Sequence, residues 1–366
     1  MKASAGIACM LMRGGTSKGP VFLASDLPAE TQARDQLLLS LMGSPDVRQI
    51  DGIGGGDSLT SQVLIVSPGS RSGADVDYLF AQVAVGHGEV DTTPNCGNMV
   101  SAVAAFAIER GLITAADMVT RVRMLNVNTG KIVVAHVPTV GPRVMYDGNT
   151  RIDGVPGSAA GIVLDFLDPA GACSGRLLPT GRAVDMIDGV PVSCVDYGIL
   201  VVMLEARSVG KTGHESKREL DGDHALTASL HELRRKAGAL MGLAFSEHGV
   251  LPKVALLARP RAGGTISSRF YVPWNCHVAH SASGGICIAA ATRIPGTVAA
   301  RLCGSYSTDA DTIVIEHPSG ALPVHVHGEP SDLTSGSHAS VTLTARPLFD
   351  GFAFPHAARS ARLAAA

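Results

Sequence analysis

The chain has 366 residues, 46% of them hydrophobic and 17% charged, with a net charge of −2. That length favours two domains over one, and so large an apolar fraction excludes a disordered chain. The near-neutral charge and only 4% aromatics leave neither an electrostatic footprint for nucleic acid nor platforms on which its bases would stack.

Seven cysteines (Cys9, Cys96, Cys173, Cys194, Cys276, Cys287, Cys303) form no Cys-x-x-Cys pair, which argues against a disulfide framework and a structural zinc site. Residues 7–12 are apolar but Arg13 follows at once, so they read as a strand and not as a secretion signal. No apolar run approaches the roughly 20 residues that cross a bilayer. A cytoplasmic protein with no membrane or nucleic-acid partner is expected.

In chain order, residues 4–12 and 20–23 read as strands joined by the turn RGGTSKG at 13–19. Its paired glycines let the backbone approach a ligand closely. The Thr16 and Ser17 hydroxyls stand beside Arg13 and Lys18, either of which can pair with a carboxylate. A plain hairpin with exposed charges fits the same residues. Leu37, Leu38, Leu41 and Met42 mark a short amphipathic helix at 30–42. The loop DGIGGGDSLTS at 51–61, in which Ser58 is one of several donors, serves equally as a structural turn or a substrate loop. Strands follow at 63–66, 76–85, 120–126, 131–137, 161–167, 183–194 and 198–206. A surface helix at 223–242 carries the stripe Leu226, Leu230, Leu233, Ala237, Leu240 and Met241, with Arg234, Arg235 and Lys236 as a solvated face. Strands at 252–258, 265–272, 311–317, 322–327 and 339–346 complete the set. His325 and His327 share a strand face as a candidate metal pair, but no third ligand is evident and no metal is expected.

The decisive stretch is 93–111. Residues 100–108 have almost no polar face, as in a buried helix, and Arg110 with Gly111 stops it. Asn95 is the expected N-cap, which places Cys96 in the first turn. Unpaired amides and the helix dipole there favour an anion and lower a thiol's pKa. Cys96 is therefore a candidate proton carrier, and the Gly97, Asn98 and Met99 amides a candidate carboxylate cradle. An ordinary buried cysteine is the competing reading. The segment HSASGG at 280–285 repeats the layout: His280, Ser281, Ser283 and Gly284 open a second apolar helix, closed by Pro295. Two runs of strands, each with one buried helix, predict an α+β fold with two similar domains facing a shared cleft.

The motifs MRGGTSKG (12–19), DGIGGGDSLTS (51–61) and PNCGN (94–98) together resemble the PrpF family of aconitate-type isomerases, and within it the 4-oxalomesaconate tautomerase group. DGVPGSA (153–159), GRLLPTG (175–181), PRAGG (260–264) and PWNCH (273–277) extend the likeness over nearly the whole chain. The resemblance implies a diaminopimelate-epimerase-like fold: two pseudo-symmetric domains, 1–182 plus 344–366 and 183–343, each wrapping a mixed sheet around a central helix. It implies proton transfer without a cofactor on a small unsaturated tricarboxylate, with 4-oxalomesaconate the first candidate and methylaconitate or aconitate the alternative. A homodimer is the candidate assembly. It also implies one departure. A lysine usually stands where this chain has Gln62, paired with the cysteine matching Cys96, and a glutamine amide takes up no proton near neutral pH. Cys96 then acts alone, or Lys18, Lys253 or His280 supplies the base, or the chain binds carboxylates without turning them over. Keto–enol tautomerisation, in which the α-keto group already acidifies the proton, is the family reaction that tolerates this loss best. An amino-acid racemase is disfavoured, because 280–284 carries no cysteine opposite Cys96.

Overall fold

The structure, a computed structural model, describes residues 6–243, 249–272, 274–303, 312–328, 332–334 and 336–356. Residues 4, 5 and 311 of the expected strands, Pro273 of the PWNCH motif and 357–366 of the expected first domain lie outside the described residues.

The first half runs β1 (Ile7–Gly14), β2 (Ser17–Leu23), α1 (Thr31–Met42), β3 (Gln62–Pro68), β4 (Val76–Val83), the two-residue β5 (Val90–Asp91), α2 (Gly97–Glu109), β6 (Met118–Asn126), β7 (Ile132–Val140), β8 (Arg143–Val144) and β9 (Ile162–Leu167). The second runs β10 (Asp185–Ile187), β11 (Val190–Asp196), β12 (Leu200–Glu205), α3 (Lys217–Asp221), α4 (His224–Leu240), β13 (Lys253–Ala258), β14 (Ile266–Tyr271), α5 (Ala282–Arg293), α6 (Val298–Leu302), β15 (Thr312–His317), β16 (Gly320–His327) and β17 (His338–Leu343). The last strand, β18 (Ala345–Ala353), returns to pair antiparallel with β1, from Ile7 opposite Ala353 to Gly14 opposite Ala345.

The two halves repeat one topology. In the first, the order β18–β1–β2–β3–β4–β6–β7–β9 has only β2–β3 and β4–β6 parallel. In the second, β10–β11–β12–β13–β14–β15–β16–β17 has only β12–β13 and β14–β15 parallel, at the same places in the order. β9 and β17 then join the halves, Leu343 opposite Ile162. A single apolar helix fills each half: every residue of α2 from Gly97 to Ile108, and every residue of α5, is buried. Such all-round burial needs residues apolar or small on every side, and the sequence supplies them.

The helix ends come very close. A Cβ built on Gly97 would lie 2.5 Å from the Ser283 backbone nitrogen, so only glycine fits there. Asn98 spans the junction: its Nδ2 donates to Thr16 Oγ1 (2.9 Å) and to the His280 carbonyl (3.2 Å), and its Oδ1 accepts from the Ala282 amide (3.3 Å). Two motif turns are structural. Glu316 accepts from the Arg261, Ala262 and Gly264 amides, and Asp153 from the Ala321 amide at 2.7 Å.

Three expectations are corrected. The strand expected at 183–194 is a hairpin, β10–β11, turned by Asp188 and Gly189, both at positive φ; Asp-Gly is the usual chemistry of that turn. Arg234 is buried, donating to the Gly249 carbonyl at 2.6 Å and lying 5.0 Å from the Trp274 ring centroid, so it does not belong to a solvated face. Leu240, assigned to the apolar stripe of α4, is 53% exposed because Met241, one residue on, takes the next place after Ala237 on the buried face.

Candidate active site between the two halves

A cavity of about 300 Å³ opens where the N-termini of α2 and α5 converge. Its wall draws Cys96, Asn95 and Asn98 from the start of α2, Gln62 from the first residue of β3, Ser17 from β2 and Ser58 from the 51–61 loop. The second half contributes Ser281, Lys253 and the segment Trp274, Asn275 and His277. Beside Gln62 the β2 and β3 backbones lie so close that a Cβ at Gly19 would sit 1.7 Å from the Gln62 carbonyl oxygen, so only glycine fits there.

Cys96, not Asn95, is the residue that caps α2, and its side chain makes no capping hydrogen bond. The Sγ instead donates to Gln62 Oε1 at 3.1 Å. The expected acidic thiol is therefore corrected: burial pushes the Cys96 pKa up, against the Met99 and Asn98 amides, the Ser17 hydroxyl and the Lys253 charge, which pull it down. Desolvation outweighs the helix terminus, so the resting group is a neutral thiol. Lys253 shows the opposite face of the same effect. Burial brings its pKa down to about 8, with Asp91 and Cys96 opposing and Arg234 assisting.

Polar atoms without partners converge on the cavity. Ser58 Oγ, Asn95 Oδ1 and His277 Nε2 are buried and unbonded. His277 Nδ1 accepts from the Ala279 amide at 2.9 Å, and burial holds its pKa well below the ordinary value. Its single proton therefore sits on Nε2, a neutral donor facing a carboxylate-sized space.

Seven of the expected site residues thus meet in one place: Ser17, Ser58, Gln62, Asn95, Cys96, Asn98 and Ser281. Others do not. Thr16 and His280 line a separate cavity of about 310 Å³. His280 bonds Ser268 Oγ and the Ser281 carbonyl, and burial brings its pKa to about 3, so it is no base for Cys96. Arg13 spends its guanidinium on the Gly15 and Thr344 carbonyls. Lys18, which pairs across the β1–β2 ladder with Arg13, lines neither cavity. Gly97, Met99, Ser283 and Gly284 are packed where the helix ends meet their neighbours and line neither cavity, and the Asn98 and Met99 amides are directed at the Cys96 sulfur. His325 stacks on His327 and His327 on His338, and no cluster of metal ligands exists among the described residues. His277 and Trp274, also in the cavity wall, stand in the PWNCH motif, which carries no local sign of a site.

Residues 4–356 match the family model described as PrpF protein. The chain belongs to the PrpF family. Among its relatives, the 4-oxalomesaconate tautomerase of Pseudomonas putida is 48% identical, the match covering 94% of this chain and 95% of that one. The crystal structure of a methylitaconate-delta-isomerase superposes with a TM-score of 0.77 at 34% identity, covering 98% of this PrpF chain and 97% of the other. A hydroxyproline epimerase from Agrobacterium vitis superposes at 0.58 with 11% identity over 95% and 92% of the two chains, a likeness of fold alone. The PrpF fold here is accordingly the expected α+β, epimerase-like one. Among the described residues no helix is long and apolar enough to cross a membrane.

Proposed function

We propose that this chain is a cofactor-independent isomerase that shifts a proton on a small unsaturated oxotricarboxylate in the cytoplasm, with 4-oxalomesaconate as substrate and keto–enol tautomerisation or the equivalent allylic shift as reaction. One observation carries the reading: the Cys96 thiol faces a cavity walled by two helix N-termini. Removing a proton beside an α-keto group leaves an enolate, and helix N-termini stabilise developing negative charge where water is excluded. Ser58 and the Nε2 proton of His277 supply unused donors for substrate carboxylates, fixing the reacting carbon near the thiol.

Deuterium incorporation into 4-oxalomesaconate, followed by NMR in D₂O, tests this. Loss of a positioned acid/base group costs about 10²–10⁴-fold, and Cys96→Ser is expected to show a loss in that range. Equal exchange by the two proteins removes Cys96 from the chemistry. The Gln62–Cys96 hydrogen bond, standing where a lysine is usual, favours a second reading, a non-catalytic carboxylate binder. Turnover by the wild type eliminates it.

A further inference from the structure

A proton shift on a conjugated substrate starts with a base, and one group can both accept and redeliver the proton only if it rests deprotonated. Cys96 is a neutral thiol hydrogen-bonded to an amide oxygen, and Gln62 exchanges no proton. The repeat between the halves shows where the second group stands. Gln62 is the first residue of β3 and Lys253 the first residue of β13, the strands at matching places in the two sheets. Gln62 lies in phase with Leu64 and Val66, and Lys253 with Ala255 and Leu257, the residues of each strand that join the central core with α2 and α5. Cys96 and Ser281 match in the same way, as the N-caps of α2 and α5. All four line one cavity. Each half thus offers the site one side chain from a strand start and one from a helix cap.

We propose that Lys253, supplied by the second half at the position equivalent to Gln62, is the proton acceptor that works with Cys96. This rests on the isomerase reading above. Lys253 is buried and, among the described residues, it is the only Lys or Arg lining the cavity and its Nζ makes no ion pair. Facing the cavity with it are Cys96, His277, His87 and the carboxylates of Asp57, Glu89 and Asp91, with Arg234 nearby. Asp91 and Asp57 already accept from the Val250 and Leu59 amides. With its pKa brought down to about 8, Lys253 is mainly the ammonium at pH 7, and the minor free-amine fraction, about a tenth, is the form that starts the reaction. In the forward step the neutral amine takes the proton from substrate carbon, breaking C–H, and the electron pair moves into the conjugated system. The Cys96 thiol then gives its proton to the far end of that system. The ammonium returns its proton to the thiolate, and both groups are neutral again.

The test compares wild type, Lys253→Gln, Lys253→Arg and the exchange variant Gln62→Lys/Lys253→Gln in D₂O with 4-oxalomesaconate. Tricarballylate binding, read by Trp274 fluorescence, serves as the check of an intact site. Both single variants should bind tricarballylate yet lose about 10²–10⁴-fold in kcat, the usual range for a missing acid/base group. The exchange variant, with the amine moved to the other half, should recover at least about tenfold of that loss, a small part of the same range. If Lys253→Arg keeps kcat within about threefold, far below that range, Lys253 is a fixed counter-charge and the proposal fails. It fails equally if Lys253→Gln exchanges at the wild-type rate. A wild type that binds tricarballylate but exchanges no proton overturns the isomerase reading itself.

Discussion

The Cys96 thiol donates to the Gln62 amide oxygen at 3.1 Å, an arrangement that holds the sulfur protonated. Burial acts in the same direction. A cation at position 62 reverses the local field. An opposite charge within hydrogen-bond range shifts a group's pKa by about one to three units, and Gln62→Lys should lower the Cys96 pKa by that order. The pH dependence of iodoacetamide alkylation, read by mass spectrometry on the peptide carrying Cys96, measures it. An unchanged midpoint would mean that the residue at 62 does not govern the thiol.

Lys253 makes a prediction about stability with a definite sign. Its folded pKa, about 8, lies below the ordinary lysine value of 10.5, so between these pH values the unfolded chain binds more protons than the folded one. Stability therefore rises with pH across that window, and below pH 8 the fold carries the full cost of a buried charge. Removing the amine removes the cost. Lys253→Met should be more stable than wild type at pH 7 by about 1–3 kcal/mol, with the gap closing toward pH 10.5. Urea unfolding of both proteins at pH 7 and pH 10.5 checks this. A gap that widens with pH has the wrong sign and rejects the buried, unpaired amine.

At Gly97 the two halves touch, and the position tolerates no side chain. The Cβ of Gly97→Ala would press on the backbone nitrogen of Ser283, which has no rotamer with which to yield. Overpacking of this kind costs about 1–3 kcal/mol, and the strain falls between the helix ends that wall the cavity. The variant should unfold at lower urea by that amount and lose kcat more than it raises KM. Wild-type stability and kcat would show that the helix ends have room to part.

Much of this fold was legible because its signals are local. The all-apolar runs of α2 and α5, the Gly-rich turns between strands and the family motifs all stand in contiguous sequence. Cys96, Ser17 and Ser58 could be named for the same reason. What escaped depends on contacts between distant residues. Asn98 is read locally for its backbone amide, whereas its side chain, committed to Thr16 and His280, ties the two halves together. Arg234 belongs to a visibly basic trio, and only the fold places Trp274 and Gly249 against it. The thiol's pKa runs opposite to the sequence expectation because a helix terminus is readable from sequence, whereas full desolvation depends on both halves closing over the sulfur. The Asp188-Gly189 turn, inside the strand expected at 183–194, and the Ser216-to-Glu219 capping box that opens α3, outside the expected helix spans, are local signals as well.

The chain has a single tryptophan, Trp274, and it stands in the cavity wall, 40% exposed, between Arg234 and His231. An indole half in contact with water changes its emission when that water is displaced, and a carboxylate beside the Arg234 cation would alter its field as well. Titrating tricarballylate should shift or quench the fluorescence saturably. His277→Ala should weaken the same titration by about tenfold or more, since a hydrogen bond to a charged group contributes about 1.5–3 kcal/mol. That titration should show no inflection from His277 near the ordinary histidine pKa of 6.5, since burial lowers the His277 pKa well below it. Saturable binding with no change in Trp274 emission would place the ligand elsewhere, the cavity of about 310 Å³ beside His280 being the next site to probe.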